Sequence, residues 1–383
     1  MFRPQIQKTN VIFFTAVFSI LMVQMALKNV TYHEKVGLGE KIKSAKIMNE
    51  ALSTLKKEVK NKYTTPILKD IDPNLTGLIF NRPQSPLITG SGDLQSKQTV
   101  LKPNFAALMV DLFMKAGLRK NDTIAVGMTG SMPGANIAVL SACKAMGIVP
   151  VIITSVGASQ WGATDPNFTW LDMEKILHEN KIISHESIAA SLGGKGDKYK
   201  KKEVNHIIYG GEKGADLAKK SISRNKKKKI IGYAERKTIY KKFINGKLSD
   251  YSAYVNIGGG VSSMGVSGND LLDDEVGIIS SDEVRDKKLD DCMARSFADA
   301  GIMLINIHNI PKLILDEDGK QLIAFSGKKN KIGVGLLYYS ERHALWSTLL
   351  ALLFTLALVI YIGINSFRQI NKHMSSYETE SIL

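Results

Sequence analysis

The stretch Thr123-Ile-Ala-Val-Gly-Met-Thr-Gly-Ser-Met-Pro-Gly-Ala-Asn136 decides the fold. Its first four residues form a short β-type run, and Ala135 to Met146 reads as a helix. A glycine-rich turn joins them. A strand that passes through such a turn into a helix N-terminus is a building unit of α/β proteins. The first backbone N–H groups of that helix lack an intrahelical partner, so they can hold an anion or a reactive group. The helix ends at Gly147. Val149-Pro-Val-Ile-Ile-Thr154 is then a continuous apolar run, which suits a strand buried on both faces of a parallel sheet. A second glycine-rich turn, Ser155-Val-Gly-Ala-Ser-Gln-Trp-Gly-Ala163, follows it.

The alternation extends in both directions. Upstream, a helix from Asn104 to Ala116 stops at Gly117, a C-cap residue. Downstream, Trp170 to Glu179 reads as a helix. Ile207-Ile-Tyr209, Gly210-Gly211 and Lys213 to Ser223 repeat strand, glycine turn and helix. Tyr254-Val-Asn-Ile257 enters Gly258-Gly-Gly260. A helix from Val284 to Ala300, containing Cys292, precedes the strand Ile302 to Ile307, which ends at His308-Asn-Ile-Pro311. The pattern predicts an α/β fold with a doubly wound, mostly parallel, Rossmann-like sheet. Ligands of such sheets bind beyond the strand C-termini. The four glycine turns and His308 are therefore expected to share one cleft. Tyr63 to Lys102, including Arg82-Pro-Gln-Ser-Pro-Leu-Ile-Thr-Gly90, has a loop composition. Val334 to Tyr339 reads as an edge strand after Lys328-Lys-Asn-Lys331.

The ends of the chain are apolar. Val11 to Leu27 is almost wholly apolar, and Ala344 to Ile364 carries no charge. Each is long enough to cross the roughly 30 Å of a bilayer's hydrocarbon as a helix. A cleaved signal peptide is the competing reading of the first, but its apolar run is long and no A-x-A site follows. The expected organisation is a tail (1–10), a span (11–30), a juxtamembrane helix (38–62), an α/β domain (63–340), a second span (344–364) and a tail (365–383). Arg3, Lys8, Arg368 and Lys372 in the tails favour cytoplasmic ends and an extracytoplasmic domain. Lys28, Lys35, Lys41 and Lys43 on the opposite flank argue the other way. In the juxtamembrane helix Ile42, Ala45, Met48, Leu52, Leu55 and Val59 form a stripe that requires a partner.

The 383 residues carry a formal charge of +15, mostly from lysine, with clusters at Lys198, Lys200, Lys201 and Lys202 and at Lys226 to Lys229. Such clusters read either as solvated loops or as a surface for a polyanion. No helix-turn-helix, zinc or aromatic-platform signature points to nucleic acid. Cys143 and Cys292 read as two buried thiols, with a disulfide unsupported. His178, His185 and His206 lack metal-ligand spacing, so no metal site is expected. No cofactor is indicated.

Thr129, Gly130, Ser131, Gly134 and Asn136 are expected to line the first turn and to bind carboxylate or phosphate. The turn lacks the Gly-Lys-Ser/Thr ending of a P-loop, the Rossmann G-x-G-x-x-G spacing and the G-x-S-x-G elbow. Ser131 as a nucleophile therefore has no spacing argument behind it. Ser159, Gln160 and Asp165 are the polar candidates of the second turn, with Asp165 equally readable as the residue that opens the next helix. Gly258, Gly259 and Gly260 would form the third wall. His308, with Asn309 beside it, would act as acid or base or orient a carboxylate; a solvated histidine at a strand end fits as well.

Three segments carry a family resemblance: residues 127–147 (GMTGSMPGANIAVLSACKAMG), 150–174 (PVIITSVGASQWGATDPNFTWLDME) and 256–265 (NIGGGVSSMG). They resemble the poly-gamma-glutamate system protein family, over about Pro86 to Pro311. The resemblance implies an accessory component of bacterial poly-γ-glutamate biosynthesis and export, in a cell membrane beside the synthetase membrane subunits. It transfers no catalytic residues. The lysine enrichment and a basic segment from Gly193 to Lys202 depart from the family pattern. Poly-γ-glutamate is a polycarboxylate, which suits a basic domain with helix N-termini aimed into a cleft. Three functional readings stay open. The first is a polymer-binding capsule-biosynthesis accessory. The second is an enzyme that cleaves or transfers γ-glutamyl amides through Ser131 or Thr129 with His308. The third is a non-catalytic scaffold of the synthetase complex.

Overall fold

The computed structural model describes residues 4–63, 67–81, 84–194, 197–199, 202–204, 207–244, 246–266, 268–272, 275–324 and 331–380. Arg3, Arg82, Pro83, Lys200, Lys201, His206 and Lys328 to Asn330, named above, lie outside the described residues. The strands are β1 (Val30–Glu34), β2 (Ile88–Gly90), β3 (Thr123–Thr129), β4 (Val149–Ser155), β5 (Ala158–Ser159), β6 (Ala189–Ser191), β7 (Lys202–Val204), β8 (Ile207–Tyr209), β9 (Lys228–Ile230), β10 (Ala253–Ile257), β11 (Gly277–Ile279), β12 (Leu304–Ile307) and β13 (Tyr339–His343). The helices begin with α1 (Thr9–Lys28), α2 (Leu38–Lys62), α3 (Leu94–Val100), α4 (Asn104–Lys115) and α5 (Pro133–Met146). They continue with α6 (Trp170–Glu179), α7 (Glu212–Arg224), α8 (Gly232–Phe243), α9 (Val261–Met264) and α10 (Gly268–Leu271). The last four are α11 (Ser281–Asp286), α12 (Met293–Asp299), α13 (Ile310–Leu313) and α14 (Leu345–Glu380).

Seven strands form the central sheet in the order β11-β12-β10-β3-β4-β6-β9. All its pairings are parallel except that of β11 with β12. The chain winds outward from β3 through β4 and β6 to β9, then returns to lay β10 on the other side of β3. The strand order therefore reverses between β3 and β10, the position at which sheets of this kind form a crevice beyond the strand C-termini.

Side chains alternate across each strand. Ala125, Val151 and Ile153 turn to one face and pack with Tyr240 of α8, Tyr254 and the α12 residues Met293 and Phe297. The Tyr254 and Phe297 rings stack with centroids 4.6 Å apart. On β3 and β4 also sits α5, backed by α2 and α4. That contact answers the requirement of the α2 stripe: Ala45, Met48, Leu52, Leu55 and Val59 are all buried. Lys41 of α2 is buried as well; its Nζ lies 2.5 Å from Asp111 of α4 and donates to Leu337 O at 3.2 Å. Ser44 Oγ donates to Ala106 O.

The chain divides into two compact units, residues 36–338 and residues 1–35 with 339–383. In the second of these, α1 packs on α14, and β1 pairs antiparallel with β13. Ala344 N donates to Asn29 O at one end of the helix pair, and Ile6 N donates to Ser366 Oγ at the other. The stretch of α14 between those ties is about 33 Å at 1.5 Å per residue. Thr9–Lys28 and Leu345–Ser375 are each long and apolar enough to cross a membrane, and their apolar side chains are largely exposed.

Several expectations are corrected. Val334 to Tyr339 forms no edge strand; the strand there is β13, which pairs with β1. The helix expected from Val284 to Ala300 is two shorter ones, α11 and α12, with Cys292 at the N-cap of α12. Cys143 and Cys292 are both free and buried. The segment from Tyr63 to Lys102 contains a helix, α3. Lys228 and Lys229 lie on the sheet's edge strand β9, where lysine discourages pairing with another chain. Among the described residues Ile207–Tyr209 pairs only with β7, in a separate two-stranded antiparallel sheet. Gly210-Gly211 therefore does not end a strand of the central sheet.

Candidate functional site

Three of the four glycine turns meet where the strand order reverses. Gly130 N donates to Ser155 O, and Ala163 N donates to Gly130 O, so the turns after β3 and β4 are tied by their backbones. They approach too closely for side chains: a Cβ on Gly130 would lie 2.5 Å from Val156 O, and one on Gly162 would lie 2.6 Å from Ser131 O. The turn after β10 arrives from the other side. Gly258 adopts φ +81, and a Cβ there would lie 2.9 Å from Thr129 Oγ1. Thr129, Gly130, Ser131, Ser159, Gly258 and Gly260 are thus brought together.

The N-terminus of α5 is not open to a ligand as the sequence suggested. Helix α3 lies over it. Pro133, Gly134 and Ala135 are buried, and a Cβ on Gly134 would sit 2.5 Å from Val100 O. The C-terminal end of α3 thus meets the N-terminal end of α5, an arrangement in which the helix dipoles attract. Asn136 is also fully buried. Its Nδ2 donates to Thr129 O at 2.9 Å, which pins the end of β3 rather than facing a cleft.

Helix α3 delivers Lys97 into the first two turns. Asp93 caps the helix by accepting from Ser96 N at 2.7 Å. Lys97 Nζ donates to Ser131 O and lies 2.7 Å from Ser159 Oγ. Ser159 N donates to Ser131 Oγ at 3.0 Å, which locks the two serines together. Lys97 is only 3% exposed. Burial lowers its pKa from 10.5 to about 7, against a weaker opposing pull from Asp93. Ser131 and Ser159 remain partly exposed in front of it.

A second polar cluster fastens the strand ends beside the crevice. Ser155 and Ser191 are register partners at the ends of β4 and β6. Arg236 Nη2 donates to Ser155 Oγ at 2.8 Å and to Ser191 Oγ at 2.5 Å, and its Nε lies 3.2 Å from Asp197 Oδ2. Ser262 Oγ of α9 donates to Asp197 Oδ2 at 2.7 Å, which ties the third glycine turn to the same cluster. Burial pushes the Asp197 carboxyl up, but Arg236 and the two serine hydroxyls outweigh it and hold it below its ordinary value. Beneath that turn, Ser263 Oγ donates to Asn256 Oδ1, and Asn256 Nδ2 donates to Gly258 O and to Asn306 Oδ1.

The remaining expected residues divide. Asp165 is buried, accepts from Asn167 N at 2.8 Å and from Tyr63 OH at 2.5 Å, and so holds the start of α6 and the end of α2. Gln160 is partly exposed beside Ser159, its N donating to Gly90 O. His308 and Asn309 lie at the end of β12. Since β10 separates β12 from β3, the two strand ends are about 10 Å apart. Ser131 Oγ takes its bond from Ser159 rather than from a histidine. Asn309 Oδ1 accepts from Lys312 N as the cap of α13, which packs against α3. Among the described residues no cluster of three or more His, Cys, Asp or Glu could hold a metal ion. A cavity of about 330 Å³, lined by Val59, Tyr63, Ile71, Asp72 and Phe80 among others, borders this region. Phe80 bridges Trp161, and Gln98 of α3 donates to Ile71 O.

Sequence reasoning missed Lys97, Arg236, Asp197, Ser191 and Ser262. Two signals were present. Gly90-Ser-Gly-Asp93 is a turn that ends in a helix-capping residue. Arg236 is an arginine in a chain where lysine supplies most of the positive charge, and arginine is the residue suited to buried ion pairs. No known family model, no curated protein and no solved structure matches the chain.

Proposed function

We propose that the protein is a membrane-anchored accessory component of bacterial poly-γ-glutamate synthesis or export. In this reading α1 and α14 span the membrane, and the α/β unit stands outside the cytoplasm beside the synthetase membrane subunits. Its sheet is of the doubly wound, Rossmann-like kind. The polymer or its precursor lies across the crevice between the ends of β3 and β10.

The observation that carries the reading is the convergence of Thr129, Ser131, Ser159, Gly258 and Gly260 at the reversal of strand order. There, the partly exposed hydroxyls of Ser131 and Ser159 stand close together in a lysine-rich molecule. A repeating carboxylate chain is recognised by donors of this kind, with the long-range attraction supplied by the +15 charge.

The test uses full-length protein in detergent. It should retain poly-γ-glutamate at low ionic strength, release it as salt is raised, and ignore an uncharged polymer. Gly260 has an ordinary φ of −67. Gly260→Leu should therefore fill the crevice and weaken retention without unfolding the protein. No retention of polymer by the wild type at low salt would overturn the proposal.

A further inference from the structure

Lys97 and Ser159 form a pair that polymer holding does not need. We infer that Ser159 is an acyl-accepting nucleophile with Lys97 as its base, so that the crevice cleaves or transfers a carboxylic amide or ester.

The geometry has three parts. Lys97 Nζ lies 2.7 Å from Ser159 Oγ, within reach for direct proton transfer. The lysine is buried, while Ser159 is partly exposed. Ser159 stands four residues beyond the end of β4, on the side of a parallel sheet where ligands bind. The turn is also held under strain. Two residues on, Trp161 adopts φ +68, which a bulky side chain rarely does, and its bridge to Phe80 keeps it there.

Lys97 is closed off from water. Its ammonium loses hydration, and its oxygen partners here are a carbonyl and a hydroxyl, not a carboxylate. The same closure is what a base requires, because it leaves a large share of Lys97 as the neutral amine near pH 7.

The step balances without a further reactant. Ser159 Oγ attacks the substrate carbonyl carbon while its proton passes to the Lys97 amine. The tetrahedral adduct collapses as Lys97 returns that proton to the leaving nitrogen or oxygen, the C–N or C–O bond breaks, and an ester on Ser159 remains. Water, deprotonated by Lys97, then releases a carboxylic acid; an amine in its place would give a new amide.

The experiment treats full-length protein in detergent with a fluorophosphonate, which phosphonylates activated serines and expels fluoride. The adduct should map to Ser159 and be absent from Ser159→Ala. Lys97→Arg keeps the charge and the donors but does not deprotonate, so labelling should slow about a hundredfold or more. Lys97→Met should label equally poorly. No adduct on the wild type, an adduct on another residue, or an unchanged rate in either folded Lys97 variant would overturn the inference. Polymer retention by Ser159→Ala is scored separately, so loss of this reading and loss of the polymer reading are distinguishable.

Discussion

Gly258 and Thr129 close on each other across the reversal of strand order: a Cβ on Gly258 would lie 2.9 Å from Thr129 Oγ1. The third glycine turn is thereby packed against the first. Gly258→Ala meets both the threonine and a left-handed φ of +81, and we expect it to cost about 1–3 kcal/mol. Thr129→Ala removes the near oxygen but leaves the backbone strain. The double variant should therefore lose less than the sum of the two single losses, by about 0.5 kcal/mol or more. Additive losses in denaturant titrations would show that the two turns do not press on each other.

Gly134 offers a prediction with a sign opposite to helix propensity. Glycine inside a helix is ordinarily worse than alanine by about 1 kcal/mol. At Gly134 the new methyl would meet the Val100 carbonyl at 2.5 Å. Backbone cannot step aside as a flexible side chain can, so Gly134→Ala should destabilise by about 1–3 kcal/mol. Gly39 of α2 has nothing within 4 Å of the same methyl. Gly39→Ala should raise the melting temperature while Gly134→Ala lowers it. A gain at both positions would mean that α3 does not lie on the end of α5.

The elements that carry strong periodicity or clear punctuation were legible in the sequence. Helix α6 begins at Trp170 and ends at Glu179 as read, since Thr169 and Asp172 form a capping box before an amphipathic run. Pro133 marks the start of α5. Strands β6 and β9 escaped because three residues are too few to show a period, and Lys228-Lys-Ile230 looks like a solvated loop. Helix α3 escaped for a different reason. Leu94-Gln-Ser-Lys-Gln-Thr-Val100 has no apolar stripe, yet Ser96, Lys97, Gln98 and Thr99 are buried. Their burial depends on turns far away in sequence that receive them. The convergence of three of the four glycine turns was visible from the α/β alternation; that Gly210-Gly211 stands apart and that a lysine fills the first turn were not.

Glu174 should make the fold lose stability as pH rises from about 4.5 to about 7. Burial raises its pKa from 4.5 to about 7, and the bonds from Ser187 N and the charge of Lys227 only partly oppose it. A carboxyl raised in the folded state favours the neutral form. Stability is therefore fully present below the unfolded value near 4.5 and is lost as pH rises toward 7. Glu174→Gln removes that loss, on the order of 3 kcal/mol above pH 7. Its carboxamide retains an acceptor for one Ser187 donor and can itself donate to the hydroxyl. Thermal unfolding should find the variant more stable than wild type at pH 8 and nearly equal at pH 4. Equal differences at both pH values would show that Glu174 stays ionised in the fold.

Lys97→Met should produce a protein that is more stable and chemically inert. The folded-state pKa of Lys97 is lowered from 10.5 to about 7, so the fold favours the neutral amine. Below pH 7 the folded protein carries a buried ammonium and bears the full penalty. The penalty fades as pH rises from 7 toward 10.5, and stability grows accordingly. Methionine removes the penalty but leaves Ser131 O without its donor, a loss of about 1–3 kcal/mol. The balance at pH 6 is a gain of a few kcal/mol, because the lysine shift corresponds to about 5 kcal/mol. At pH 10 the gain should vanish or reverse. A lysine that merely braces α3 against the first turn predicts the opposite: loss of stability at every pH. Unfolding midpoints of the two proteins at pH 6 and pH 10 therefore separate a base kept uncharged for reaction with Ser159 from a strut.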